Sequence, residues 1–292
     1  MDNVPFRNFR FAGLDDEESS YRAARFVVIP VPYDLTVSYV SGTRKGPYAI
    51  IEASTFLEMY DEELGFETCE QGIYTFPLLE VPTTGPEAMI DRVNTVCSSV
   101  LKDGKIPVML GGEHSISLGL AKSLKDIYPD LSVLQFDAHA DLRDSYEGSP
   151  YSHACVGRRI SEICPLVQVG IRSHSKEEAD FMKDSDVVTV YSESIHENPN
   201  NFDFVDKLTD NVFVTIDLDG LDPSIMPAVG TPEPGGLGWF QVMKILREVS
   251  KRKNIVGFDL VELCPLPGNV APDFLAAKLA YRLMGYISQN KN

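Results

Sequence analysis

Seven short runs of β-branched and apolar residues constrain this chain more than any other feature of its sequence. They are RFVVIPV (25–31), IPVML (106–110), LSVLQF (131–136), LVQVGI (166–171), VVTVY (187–191), VFVTI (212–216) and IVGFDLV (255–261). Apolar runs of this length, bounded by turn residues or charge, read as strands buried on both faces. Amphipathic helical patterns lie between them. From Pro86 to Lys102, Met89, Val93, Val96 and Val100 recur at intervals of four, three and four, as one buried helix face requires. Another pattern follows Pro272, with Leu275, Leu279, Leu283 and Tyr286. Strands alternating with helices imply right-handed crossovers and a mostly parallel sheet covered on both faces. The expected fold class is therefore α/β, a three-layer α/β/α sandwich. No repeat of fixed period occurs, and Pro and Gly are scattered rather than gathered into a linker, so residues 1–292 read as one domain.

The balance of charge narrows the partners. Acidic residues number 43 against 26 basic ones, a formal net charge of -17. Such a field repels nucleic acid and favours cationic ligands and metal ions. The opening MDNVPFRNFRFAG has no long apolar stretch, and apolar runs elsewhere are short and interrupted, which predicts a cytoplasmic protein without membrane insertion. Five cysteines without close paired spacing (Cys69, Cys97, Cys155, Cys164 and Cys264) fit neither a disulfide framework nor a zinc ribbon, and read as reduced thiols. Residues 1–25, acidic and polar with a few aromatics, carry no pattern that assigns them a role.

In parallel sheets, ligands collect beyond the carboxyl ends of the strands, where loops present side chains above a rigid base. Four strand exits here carry carboxylates or histidines. IPVML runs into Gly111-Gly112-Glu113-His114-Ser115, and LSVLQF into Asp137-Ala138-His139-Ala140-Asp141. VFVTI runs into Asp217-Leu218-Asp219, and IVGFDLV into Glu262. A straight strand would spread Asp137, His139 and Asp141 over roughly 13 Å, so the chain must turn there if they converge. A lone Asp at a strand end is more often a cap or turn former, and a lone His a satisfied structural residue. Three of the five histidines nevertheless fall at or beside these exits; His174 and His196 lack such company and read as surface residues. Gly111 and Gly112 read as a tight turn that also brings the backbone close to the site. Asp222-Pro223 and Gly235-Gly236 read as loop punctuation at a pocket rim.

Four aspartates and two histidines exceed what one ion needs. Oxygen mixed with imidazole nitrogen, and no thiolate, favours manganese(II) or a similar ion over structural zinc. Packed aspartates repel one another unless charge cancels them, and two divalent cations supply the matching charge. Such a pair also lowers the pKa of a shared water, so that hydroxide exists near neutral pH.

Gly-Gly-Glu-His-Ser, Asp-Ala-His-Ala-Asp and Thr-Ile-Asp-Leu-Asp-Gly-Leu-Asp-Pro together resemble the three signatures of the arginase and agmatinase (ureohydrolase) family, and the likeness extends from about Val27 through Glu262 and the last helix. The resemblance implies an arginase-like fold and two Mn(II) per subunit. Asp137 and Asp217 would bridge the ions, His114 and Asp141 completing one shell, His139 and Asp219 the other. It further implies hydroxide attack on a guanidinium carbon, with Asp141 passing a proton to the departing amine. His153, in Tyr151-Ser152-His153-Ala154, matches the family's mobile proton-shuttling histidine; the family commonly has Gly where this chain has Ala154. Glu262 matches the glutamate that anchors the guanidinium by paired charge-assisted hydrogen bonds. Family members are commonly trimers or hexamers, so a homo-oligomer is expected.

For the substrate, arginases share an Asn-containing loop that receives the amino acid's carboxylate, whereas Glu147–His153 here contains no Asn. Gly230-Thr231-Pro232-Glu233-Pro234-Gly235-Gly236 and Gln168–Ser173 are similar to agmatinase segments. The expectation is hydrolysis of agmatine to putrescine and urea, a step of polyamine biosynthesis. Guanidinobutyrate, arginine and formiminoglutamate remain alternatives, with Arg143, Arg158 or Arg172 as the basic partner a carboxylate would need. Two further classes stand beside these. A dinuclear phosphatase would want clustered Lys and Arg at the strand exits, and a non-catalytic homologue would have lost a ligand position.

Overall fold

The computed structural model describes residues 9–289. Its strands are β1 (Phe26–Val31), β2 (Tyr60–Asp61), β3 (Phe66–Glu67), β4 (Ile73–Thr75), β5 (Ile106–Gly111), β6 (Ser132–Phe136), β7 (Leu166–Ile171), β8 (Val188–Tyr191), β9 (Asn211–Asp217) and β10 (Asn254–Val261). The helices are α1 (Gly46–Ser54), α2 (Pro86–Lys102), α3 (Ser117–Ile127), α4 (Val156–Ser161), α5 (Lys176–Asp184), α6 (Ser192–Glu197), α7 (Trp239–Arg252) and α8 (Ala271–Gln289). All seven apolar runs form strands of one eight-stranded sheet, in the order β4-β1-β5-β10-β9-β6-β7-β8. Every neighbouring pair in it is parallel.

Side chains alternate across a strand, so an apolar run feeds two cores at once. Phe26 and Val28 of β1, with Val108 and Leu110 of β5, pack into the core beneath α1, α7 and α8. Val27, Ile29 and Val31, with Met109, pack into the opposite core under α2, α3 and α4. The three-layer α/β/α sandwich is therefore built as the alternation of runs requires. Helix α2 opens on Pro86, whose missing N–H costs nothing in a first turn. It buries Met89, Val93 and Val100 as the spacing predicts, while Val96 is only half-buried and Ile90 and Cys97 fill that face instead. Helix α8 presses Leu279, Leu283 and Tyr286 onto the sheet; Leu275 stays half-buried beside buried Ala276, Ala277 and Ala280. Strand β4 and the antiparallel pair β2–β3 were not anticipated: with two or three residues each, they carry no periodic signal.

The strand order explains where the site lies. The chain passes from β5 through α3 to β6, and the gap it leaves is later filled by β9 and β10. The four exits rich in carboxylates and histidines thus belong to four adjacent central strands, β5, β10, β9 and β6, whose carboxyl ends open side by side. All five cysteines are free thiols, four of them buried. Among the described residues, no helix is long and apolar enough to cross a membrane.

Candidate metal centre and active site

The same local device bends the chain after β6 and at the end of β9. Asp137 Oδ1 accepts the backbone N–H of His139 at 2.6 Å, and Asp217 Oδ1 accepts that of Asp219 at 2.8 Å. Each aspartate so caps the residue two positions on, folding the chain back until alternate side chains share one point. Asp219 Oδ1 accepts the N–H of Ala138 at 3.0 Å and ties the two loops together. Asp141 then takes a left-handed backbone, φ 52°, which aspartate tolerates better than most residues and which turns its carboxylate back toward His114. This is the turn that convergence of Asp137, His139 and Asp141 demanded.

Glu262 sits at φ 67°, a conformation costly for glutamate. Two hydrogen bonds hold it there: its N–H donates to Gly112 O at 2.7 Å, and its Oε1 accepts the N–H of His114 at 2.7 Å. The chain bends at Gly112, and neither Gly111 nor Gly112 has positive φ, so left-handed freedom is not what glycine supplies here. Their role is space. A Cβ on Gly112 would lie 1.8 Å from the carbonyl oxygen of Tyr33, and one on Gly111 would lie 2.7 Å from Val261 Cγ1.

The six residues expected to be ligands come together. His114, Asp137 and Asp141 present donor atoms within 4.8 Å of one another, as do Asp137, His139 and Asp219. Asp137 belongs to both groups: its Oδ2 lies 3.2 Å from His114 Nδ1 and its Oδ1 3.7 Å from His139 Nδ1. Asp217 Oδ2 lies 3.2 Å and Asp141 Oδ2 3.4 Å from the same His114 nitrogen, and Asp219 Oδ2 lies 2.9 Å from His139 Nδ1.

The donor set fits divalent metal. His114 Nδ1 is buried, and none of the three surrounding carboxylate oxygens meets it in hydrogen-bond alignment. Its other nitrogen, Nε2, is 2.9 Å from Thr215 Oγ1, which itself donates to Asp259 Oδ1 at 2.7 Å. With Nε2–H spent on Thr215, the Nδ1 lone pair points among anionic oxygens, an arrangement that a cation satisfies. The electrostatics demand positive charge as well. Burial and the neighbouring carboxylates of Asp141 and Asp219 push Asp137 up to about 7, and burial with Asp219 and Asp137 raises Asp217 well above the carboxylate range. Burial opposes a charged His139, yet Asp219 lifts it to about 11; against its own burial, Asp219 is held by His139 at about 2.

A pocket of about 290 Å³ opens over this cluster. His139, Asp141, Asp217, Asp219, Glu262 and His153 line it, while His114 and Asp137 are buried. Toward solvent it is bordered by Val37–Val40, Arg143, Tyr146, Gly230 and Thr231. The Gly230–Gly236 run bends over the cluster: Thr231 Oγ1 lies 3.5 Å from Asp219 Oδ2, and Glu233 Oε1 lies 3.9 Å from His139 Nε2. Asp222 Oδ2 accepts the N–H groups of Gly235 and Gly236, so the two stretches read as loop punctuation clasp each other. His196 is exposed, as expected; His174 is also exposed but lines the pocket and so has more company than the sequence suggested. Ala154 is buried on ordinary backbone in the short turn His153–Cys155, and that loop tolerates the residue in place of Gly.

Of the three arginines named above as partners for a carboxylate, only Arg143 lines the pocket. Its guanidinium stacks over Tyr146 at 5.1 Å and its Nε lies 3.9 Å from Glu178. Arg172 is consumed by main-chain carbonyls, including those of Asp219, Leu221 and Glu233, and so braces the site. Arg158 stacks on Phe181 at 3.8 Å. Residues that sequence reasoning missed include Thr215 and Asp259, whose signal was polarity inside buried strands. Glu178 is another: it caps α5 through Ser175 and accepts the N–H of Leu142 at 2.9 Å. Glu113 stood in view within its motif, and Thr36 had no signal at all.

This constellation and fold define a class, and comparison with known proteins supplies its name. Residues 24–285 match the model of the arginase family, and the chain belongs to that family. It is an enzyme of the ureohydrolase kind, acting on guanidino C–N bonds. Among curated proteins it is 42% identical to an N(1)-aminopropylagmatine ureohydrolase of Synechocystis, covering 94% of this chain and 92% of the relative. It is 36% identical to an agmatinase of Pyrococcus horikoshii, covering 90% and 92%. Among solved structures, the agmatine ureohydrolase of Thermoplasma volcanium superposes with a TM-score of 0.86 at 37% identity, covering 93% of this chain and 92% of that one.

Proposed function

We propose that this chain removes urea from the guanidino end of a cationic, carboxylate-free amine, using two Mn(II) ions. Asp137 and Asp217 would be shared between the ions; His114 and Asp141 would hold one, His139 and Asp219 the other. The observation that carries this reading is Asp137, whose two oxygens face the two histidines separately. When bound, such a pair of ions supplies a hydroxide nucleophile at neutral pH. Glu262 anchors the guanidinium. Burial and the neighbouring Glu113 push its carboxyl well above the usual range, and a bound cation offsets that cost. Asp141 passes a proton to the departing amine, and His153, lining the same pocket, exchanges it with solvent.

The substrate follows from what the mouth lacks. Among the described residues, the only arginine or lysine that a carboxylate finds there is Arg143, already beside Glu178 and Tyr146. Agmatine was the expectation from sequence; the four curated relatives between 37% and 42% identical, all named N(1)-aminopropylagmatine ureohydrolases, favour that longer substrate, which would leave urea and a triamine. Urea release from N(1)-aminopropylagmatine, agmatine, arginine and guanidinobutyrate, measured with added manganese, tests both levels. The expected order puts N(1)-aminopropylagmatine first and agmatine second. Faster turnover of a carboxylate-bearing substrate defeats the substrate class, and faster turnover of agmatine defeats the finer choice. As part of the same reading the enzyme works as a single-domain subunit of a cytoplasmic trimer or hexamer, which light scattering after size exclusion measures.

A further inference from the structure

Thr36, in the loop after β1, lies between two groups that have no contact with each other in sequence. On one side is Glu113, fully buried, whose Oε2 accepts the N–H of Thr36 at 2.6 Å. Its Oε1 accepts the Thr36 hydroxyl at 2.5 Å and that of Ser115 at 2.7 Å. On the other side is His153, whose backbone N–H donates to Thr36 Oγ1 at 3.0 Å and whose ring Nδ1 lies 3.2 Å from the same oxygen. A hydroxyl has one proton and two lone pairs. Three donors converge on the two Glu113 oxygens, the N–H and hydroxyl of Thr36 and the hydroxyl of Ser115, so the Thr36 proton points to Glu113 and what Thr36 turns toward His153 is acceptor capacity. An acceptor facing Nδ1 requires the ring proton to be on Nδ1. Ser152 Oγ, 3.3 Å from that nitrogen, is a rotor that turns to accept as well.

We propose that Thr36 is a positioning residue that, under the direction of Glu113, fixes His153 in its Nδ1–H tautomer and leaves Nε2 as the proton-accepting edge toward the pocket. The backbone and ring of His153 are held by one oxygen atom, which also fixes the swing of the side chain, while Tyr146 meets the ring edge-on at 5.8 Å. A general base must present an unprotonated nitrogen to the proton it takes. In the opposite tautomer, His153 would face the pocket with a donor and would be unable to accept a proton from the reaction.

The assignment concerns the geometry of His153, and its catalytic consequence rests on the function proposed above. The test uses the full-length chain loaded with Mg(II), which is diamagnetic and keeps ring signals sharp, with 15N correlation spectra of the imidazoles and the His153 signals identified by their loss in His153→Ala. The neutral ring in the unmodified chain is expected as Nδ1–H. Thr36→Val, close in shape but without the hydroxyl, is expected to admit the Nε2–H form, and Thr36→Ser to restore the original one. With Mn(II) and the preferred guanidino substrate, Thr36→Val is expected to lower kcat on the order of tenfold with KM nearly unchanged, and to have no further effect in a His153→Ala background. An Nε2–H ring in the unmodified chain, an unchanged tautomer in Thr36→Val, or an equal kcat loss with and without His153 would overturn the proposal. If the tautomer behaves as stated but His153→Ala keeps full turnover, the catalytic reading of His153 falls and the positioning by Thr36 stands.

Discussion

His114 and Thr215 meet at 2.9 Å, imidazole Nε2 to hydroxyl oxygen, and this contact decides which face of the histidine a metal finds. Thr215 spends its proton on Asp259 at 2.7 Å and is left to accept from Nε2–H. Thr215→Val removes that acceptor with little change of shape. The ring is then free to carry its proton on Nδ1, where it opposes metal, and Asp259, whose Oδ2 already lacks a partner, loses its hydroxyl donor. Metal affinity should fall on the order of 10- to 100-fold, and stability by about 1–3 kcal/mol for the unsatisfied carboxylate. Calorimetric metal titration and urea denaturation measure the two effects, and Thr215→Ser should recover both. Unchanged affinity in Thr215→Val would show that the relay does not orient His114.

Asp137 offers one oxygen to each histidine, so its loss should affect both ion positions at once. Asp137→Asn keeps the shape, but it removes a charge and replaces one acceptor oxygen with an NH₂ group, which must turn toward one ion or the other. Activity should drop by at least about a hundredfold, since in the proposed mechanism the nucleophile would depend on the ion pair. Metal content by mass spectrometry should fall below that of the unmodified protein. An active, fully metallated variant contradicts the bridging role.

Much of this was legible because chemistry and periodicity coincide at strand ends. His114, Asp137, His139, Asp141, Asp217, Asp219 and Glu262 all follow apolar runs, and a buried run that ends in charge declares both the strand and its exit. Their adjacency was not legible from composition or local pattern. It depends on β9 and β10 being inserted between β5 and β6, a matter of sheet order rather than of any local signal. The packing role of Gly111-Gly112 was not legible for a related reason: the sequence shows that a side chain is missing there, while the Tyr33 carbonyl that needs the space is almost eighty residues away. Thr36 shows the same limit at the site itself, since its importance comes wholly from Glu113 and His153, which other loops deliver.

Gly112 gives the sharpest test of packing. The chain there has ordinary φ, so alanine brings no conformational strain of the left-handed kind. The obstacle is that a Cβ would stand 1.8 Å from Tyr33 O, and backbone cannot rotate aside as a side chain can. Gly112→Ala must part β1 from β5 at the point where Gly112 O also accepts the N–H of Glu262. Destabilisation of about 3 kcal/mol or more is expected, at the upper end of overpacking costs. A thermal melt measures it, and a melting temperature within about one degree of the unmodified protein would contradict the packing.

Removing metal should reverse how stability responds to pH. In the folded chain without ions, Asp137 titrates at about 7, Asp217 well above the carboxylate range, and His139 at about 11, all above their unfolded values. A group whose folded pKa is raised contributes stability that is complete below its unfolded pKa and disappears as pH rises through the folded one. Asp219, lowered to about 2, works the other way, and its contribution is complete above about 4. From pH 4 upward, then, the folded cluster holds more protons than the unfolded chain, and stability in a chelator should fall steadily toward pH 9. Ions bind the deprotonated ligands, so their affinity, and the stabilisation they confer at fixed concentration, should rise over the same interval. Melting temperatures recorded between pH 5 and 9 with EDTA and with saturating Mn(II) should therefore diverge as pH increases. Parallel curves would mean that Asp137, Asp217 and His139 do not exchange protons for metal.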